Sequence, residues 1–246
     1  GQTVRLNEEQ QAAVDRFCED YETGKRETYL IHGVTGSGKT EVYMELIAEA
    51  AGRGKQSIVL IPEIALTYQT VMRFYHRFGD RVSIMNSKLS PGERSDQFER
   101  AKKGEIDVMI GPRSALFTPF SNLGYIIIDE EHEGTYKSET IPRYHARETA
   151  IERARMSGAT VILGSATPSI ESFYHAKKGD YLLLSMDKRV KEKPLPECEI
   201  VDLREELKAR NFSILSRSLH EKIEQRLLRK EQVMLFINRR GMAGFV

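Results

Sequence analysis

Eight consecutive residues constrain this chain more than any others: Gly33, Val34, Thr35, Gly36, Ser37, Gly38, Lys39 and Thr40. They satisfy the pattern GxxxxGK[ST] in full, directly after the apolar run Tyr29, Leu30, Ile31 and before a helical pattern. Glycines let a backbone curl until its N–H groups point inward, and the N-terminus of the helix that follows attracts anions. Lys39 then reaches the β and γ phosphates, and Thr40 presents a hydroxyl to Mg²⁺. A bare glycine-rich turn is the competing reading, and the complete spacing in a strand-to-helix setting argues against it. The segment is read as a nucleoside-triphosphate site.

Such a loop belongs between a strand and a helix, and the rest of the chain supplies both. Apolar runs at 28–32, 57–61, 82–85, 108–110, 125–128, 160–163 and 181–184 read as strands. Helical patterns at 40–51, 64–78, 93–102 and 147–156 lie between them. One helix start is marked by Ser90, Pro91 and Glu93, an N-cap, a first-turn proline and a capping-box acid. This alternation predicts an α/β fold, a parallel sheet covered by helices on both faces. Residues 186–199, charged and carrying Pro194 and Pro196, read as a linker. After them, an apolar run at 200–203, a helix at 219–228 and a strand at 232–237 read as the opening of a second, truncated α/β lobe. The expected division is therefore 1–185, a linker at 186–199, and 200–246.

Composition narrows the function classes. With 37 basic and 36 acidic residues the net charge is +1, so any nucleic-acid site is local and not a global field. Cys18 and Cys198 form no CxxC pattern, which excludes a four-cysteine zinc site and a disulfide framework within the chain. No apolar run approaches the roughly 18 residues of a membrane span. A cytoplasmic protein without membrane contact is expected, and both ends read as interruptions of longer sequence.

Beyond the phosphate loop, the run 124–128 leads directly into Asp129, Glu130, Glu131 and His132. Ligands of open α/β sheets sit at the carboxyl ends of strands. Asp129 is expected to hold Mg²⁺, directly or through water, and Glu130 to polarise an attacking water. His132 either couples this site to the next motif or hydrogen-bonds within its own loop. Ser165 and Thr167 follow another apolar strand and are read as sensing the γ-phosphate, in a segment that also suits a helix start at Pro168 and Ser169. The segments 62–67 and 111–117 offer backbone N–H groups, Thr67, Ser114 and Arg113 to a nucleic-acid phosphate chain. Residues 133–147 lack helical period and carry Tyr136, Lys137, Arg143, Tyr144, His145 and Arg147. Aromatic faces stack on unpaired bases and cations pair with phosphates, so this loop suits single-stranded DNA, against the bland reading of tyrosines packed on the sheet.

In order and spacing these segments resemble the motifs of superfamily 2 helicases over residues 5–185. Gly33 to Thr40 looks like motif I, 62–67 like Ia, 111–117 like Ib, the Asp129-to-His132 box like motif II and Ser165 to Thr167 like motif III. Within the superfamily, residues 31–43, 129–148 and 236–241 resemble the primosomal replication-restart helicases of the DEAH/DExH type. The resemblance implies a RecA-like ATP-binding lobe of a motor that moves 3′→5′ on single-stranded or forked DNA, in primosome assembly and restart of stalled forks. It implies primosome and single-strand-binding partners, and zinc, through regions this chain does not contain. Gln10 resembles the glutamine that reads adenine, and three residues after Asn7 it is also a capping-box partner. Asn86 departs from the family, which often has histidine there. Such motors need an arginine from the facing lobe, so this chain is expected to bind ATP and hydrolyse it poorly. The competing readings are another superfamily 2 translocase, such as a fork-reversal or duplex-translocating motor, a different P-loop enzyme, and a nucleotide-binding adaptor without turnover.

Overall fold

The computed structural model describes residues 5–188 and 196–236. The chain divides into two compact units, residues 1–193 and 194–246. The first holds seven strands: β1 (Thr28–Gly33), β2 (Gln56–Leu60), β3 (Val82–Ile84), β4 (Val108–Gly111), β5 (Leu123–Asp129), β6 (Thr160–Ser165) and β7 (Leu182–Met186). They form one sheet in the order β3-β4-β2-β5-β6-β1-β7, and every pairing is parallel. All seven strands expected between residues 28 and 184 are present, and the α/β reading with a parallel sheet is correct.

Side chains of a strand alternate between faces, and here each face has its own core. On β5, Tyr125 and Ile127 join Tyr29 and Ile31 of β1 in one buried cluster, while Ile126 and Ile128 join Leu30 in the other. The first cluster is capped by α1 (Glu8–Glu22), α2 (Lys39–Gly52) and α3 (Tyr68–Phe78), which contribute Phe17, Leu46 and Phe74. On the opposite face lie α4 (Pro91–Lys102) and α5 (Ala146–Ser157). Buried Ala146, Ala150 and Ala154 recur at helical spacing on α5, and small residues there let the helix lie close against the strands. The last helix of this unit, α6 (Ile170–Lys178), is capped by Ser169, whose hydroxyl accepts the Ser172 N–H.

The register brings three strand ends level. Asp129 pairs with Gly164 across β5 and β6, and His32 with Ser165 across β1 and β6. Whatever follows these strands therefore meets at one edge.

Two expected elements differ. The helix anticipated over 64–78 is broken into a 3-10 turn, Glu63–Ala65, and α3 starting at Tyr68. Thr67 is extended and its hydroxyl accepts the Thr70 N–H, so it starts a helix instead of continuing one. In the second unit, Asp202 caps α7 (Leu203–Lys208), which is followed by α8 (Arg217–Leu228). Glu206 ties the two by accepting from the Arg217 backbone and guanidinium and from Asn211, which holds its carboxyl down at about 2. The strand expected at 232–237 is not formed among the described residues, and the apolar run at 200–203 forms none either; Ile237 lies outside them. A strand needs a neighbour to satisfy its backbone, and among the described residues of this unit no strand stands beside either segment. No described helix is long and apolar enough to cross a membrane.

Candidate functional site

The loop between β1 and α2 shows why its glycines are required. Gly36 and Gly38 have φ of 80° and 81°, in the left-handed region, and Gly38 caps α2. At Gly33, a Cβ would stand 2.6 Å from the Ser37 hydroxyl. The loop is fastened at one end by the Val34 N–H donating to the Met186 carbonyl at 3.1 Å and closed by Ser37 N–H to Val34 O at 2.9 Å. Lys39 folds back, its Nζ donating to the Gly33 carbonyl at 2.8 Å. The Ser37 hydroxyl is buried and has no hydrogen-bond partner. Thr35 is exposed and Thr40 partly buried in the first turn of α2. A loop with a folded-back lysine, an unpaired hydroxyl and a helix N-terminus suits an anion.

Gln10, expected to read adenine, has another task. It is 2% exposed, and its amide accepts the Asn7 N–H and donates to the Gly38 carbonyl, at 2.8 and 3.0 Å. In this conformation it braces the phosphate loop and presents nothing to a base.

At the end of β5, Asp129 accepts a hydrogen bond from the Tyr43 hydroxyl at 3.0 Å. Tyr43 is fully buried and comes so close to β6 that a Cβ on Gly164 would overlap its hydroxyl. Burial and then the neighbouring Glu130 charge push the Asp129 carboxyl up to about 6. A carboxylate stripped of water beside a second one is the environment a divalent cation relieves. Glu130 has φ 49°, a conformation that costs a non-glycine residue about 1 kcal/mol or more.

The next two residues are anchored differently. His132 Nδ1 lies 2.6 Å from the Ser165 hydroxyl, which also accepts the Thr167 N–H at 2.9 Å. The acidic box and the 165–167 segment are thus in direct contact. Thr167 itself is exposed. Glu131, to which no role is assigned from the sequence, is 1% exposed and accepts from Ser169, Ser172 and Arg147. Tyr43 was missed as well. Its signal was faint: a tyrosine one helical turn after Thr40 faces the sheet, and a glycine at 164 leaves room for it.

The segment after the box corrects part of the expectation. Tyr136 is 1% exposed, and its hydroxyl donates to the Asp129 and Leu60 carbonyls at 2.6 and 3.1 Å. It cannot stack on a base, because its ring fills the core under β5. Arg113 is also engaged, its Nη1 donating to the Thr135 and Lys137 carbonyls at 2.8 and 2.7 Å, so it holds this loop before it can hold a phosphate. Lys137 and Arg143 are exposed. Tyr144 is half-buried, edge-on to Phe117 at 5.4 Å and under the Arg113 guanidinium at 5.3 Å. Lys137 pairs with His145 in an antiparallel bridge, and the loop between them lines a cavity of about 320 Å³ with Ser138, Glu139, Arg143 and Tyr144. Thr67 is exposed at the start of α3, and Ser114 is partly buried against Met85.

The family model described as type III restriction enzyme, res subunit, matches residues 3–170. Replication restart protein PriA of Bacillus subtilis is 49% identical over 98% of the chain, and that of Chlamydia pneumoniae 44% identical over 96%. These alignments cover 30% and 32% of those proteins, so the chain spans about a third of the length of the curated relatives it matches. The structure of RecG bound to a three-way DNA junction superposes with a TM-score of 0.61 at 22% identity, over 93% of this chain and 28% of that one. The Pyrococcus furiosus Hef helicase domain gives 0.51 at 16%, over 72% and 38%. Both likenesses bear on the fold alone, which is that of RecA-like helicase domains. The chain belongs to the family of the type III restriction enzyme res subunit, and replication restart proteins PriA are among its relatives.

Proposed function

We propose that this chain is the ATP-binding lobe of a DNA helicase motor that acts in replication restart. The observation that carries the reading is the meeting of three segments at one sheet edge: the Gly33-to-Thr40 loop after β1, Asp129 and Glu130 after β5, and Ser165 in contact with His132 after β6. ATP lies on the loop, with Lys39 released from the Gly33 carbonyl to the β and γ phosphates. Thr40 and Asp129 hold Mg²⁺, which when bound neutralises charge on the phosphates. Glu130 orients the attacking water, and the Ser165–His132 contact registers the γ-phosphate.

Single-stranded DNA runs past the exposed side of the 137–145 loop, where Lys137 and Arg143 meet phosphates and Tyr144 meets a base. Thr67 and Ser114 lie at helix starts that suit the phosphate chain. Residues 1–185 are the lobe, 186–199 a linker and 200–246 the beginning of a second lobe. The rest of that lobe supplies the arginine that completes hydrolysis, and closure of the two lobes drives 3′→5′ travel. Primosome and single-strand-binding proteins, and zinc, engage regions beyond this chain. The 44–49% identity with replication restart proteins supports this over a fork-reversal or duplex-translocating motor.

The test is binding of a non-hydrolysable ATP analogue with Mg²⁺, together with ATP turnover, by the chain and by Lys39→Ala. Binding that Lys39→Ala abolishes, with little turnover with or without DNA, is expected. Binding indifferent to Lys39, or strong DNA-stimulated turnover by this chain alone, would contradict the reading.

A further inference from the structure

Tyr43 has no part in the chemistry proposed above, yet its surroundings are shaped around its hydroxyl. It lies four residues after Lys39 and three after Thr40 on α2, within about one helical turn of both. The side chain is 1% exposed, and its hydroxyl donates to Asp129 Oδ1 at 3.0 Å, its one hydrogen bond among the described residues. Gly164 stands beside Asp129 on β6. A Cβ there would lie 1.7 Å from the Tyr43 hydroxyl and 3.5 Å from Asp129 Oδ1. Phenylalanine would fill the same apolar space, would let β6 carry a side chain at 164, and would bring no hydroxyl into the core. Burying a hydroxyl is unfavourable unless it is bonded, so the arrangement is best explained by what this one does to Asp129.

The hydroxyl takes one of two carboxylate oxygens. Oδ1 is turned to Tyr43 and Gly164, which leaves Oδ2 as the oxygen for a cation, or for a water bound to one. Mg²⁺ and Ca²⁺ differ in what they ask of a carboxylate. Mg²⁺ demands a near-regular octahedron at about 2.0–2.1 Å, keeps several waters, and is served by a single oxygen. Ca²⁺ takes roughly six to eight oxygens at about 2.3–2.6 Å and readily draws both oxygens of one carboxylate. We infer that Tyr43 is a specificity-determining residue of the metal–nucleotide site: by engaging Oδ1 it confines Asp129 to one oxygen, and so favours Mg²⁺ over Ca²⁺ beside the nucleotide. This rests on the motor-lobe reading above. Tyr43 acts through Asp129 alone, and Gly164 is the notch that lets its hydroxyl arrive there.

The test is the affinity of this chain for a non-hydrolysable ATP analogue, measured at saturating Mg²⁺ and again at saturating Ca²⁺, in wild type and in Tyr43→Phe. Wild type is expected to bind the Mg²⁺ complex about threefold or more tighter than the Ca²⁺ complex, the range that one hydrogen bond supplies. In Tyr43→Phe the ratio is expected to fall to about one, because the Ca²⁺ complex now binds more tightly than it does to wild type. Lost packing does not produce such a gain. A role in stability alone lowers the melting temperature, weakens both complexes alike and leaves the ratio where it was; that result, in a folded variant, overturns the inference. So does a wild-type ratio of one or below. Gly164→Ala, which displaces the Tyr43 hydroxyl from Asp129, serves as the second variant should Tyr43→Phe fail to fold, and the same fall in the ratio is expected. Nucleotide binding that is absent or independent of Lys39 is a different failure, that of the motor-lobe reading, and the inference falls with it.

Discussion

The phosphate loop and the acidic box stand on either side of β6 and treat their polar groups in opposite ways. In the loop, Lys39 rests on a carbonyl of its own segment and the Ser37 hydroxyl has no partner at all. In the box, Glu131 is saturated by four donors, His132 holds Ser165, and Tyr43 holds Asp129. An unpaired buried hydroxyl costs about 1–3 kcal/mol, which a protein tolerates where a ligand is to take it up. Groups saturated from three segments instead fix geometry. The same strand ends thus carry a receptacle and a frame, and substitutions separate the two.

The largest expected effect is in the frame. Glu131→Ala leaves Arg147 buried without its inner partner and is expected to lower unfolding stability by about 3 kcal/mol, measured by denaturant titration. A loss below about 1 kcal/mol would make the network ornamental. Asp129 offers a pH signature. Its folded pKa is raised from 3.8 to about 6, so the folded chain binds the proton more tightly than the unfolded one. That contribution is fully present below the unfolded value and is lost as pH rises through about 6. Without metal, wild type measured relative to Asp129→Asn should therefore lose up to about 2 kcal/mol between pH 4 and pH 7, and bound Mg²⁺ should reverse the trend.

Gly164→Ala drives a methyl into the Tyr43 hydroxyl and is expected to cost about 1–3 kcal/mol. Tyr43→Phe alone costs about 1 kcal/mol, the hydrogen bond to Asp129. The double variant should cost less than the sum, since removing the hydroxyl relieves most of the overlap; strict additivity would place the conflict elsewhere. The smallest effect belongs to the receptacle. Lys39→Ala should change stability by no more than about 0.5 kcal/mol while abolishing nucleotide binding.

The receptacle was legible in the sequence and the frame was not. A phosphate loop is a contiguous pattern, because one turn must do several things at once, so Gly33 to Thr40 announces itself. The strands were legible for a related reason: residues buried on both faces leave unbroken apolar runs such as 125–128. Glu131, Arg147, Ser169 and Ser172 are dispersed over some forty positions and look individually like surface residues. Only the fold brings them together. Tyr136 shows the converse. In a loop rich in aromatic and basic residues it reads as a base-stacking side chain, and what sequence cannot convey is that its ring turns inward beneath Asp129. Gln10 realises the capping role of its local pattern, and its amide nitrogen is turned to the phosphate loop.

Amide hydrogen exchange of the chain with and without a non-hydrolysable ATP analogue and Mg²⁺ tests the contrast most directly. Strong new protection at residues 34–40, with 131–133 and 169–172 already protected before nucleotide is added, is the predicted result. Protection that appears at 131–133 and 169–172 while 34–40 stay open would contradict it, and would mean that the acidic box, and not the glycine loop, receives the nucleotide.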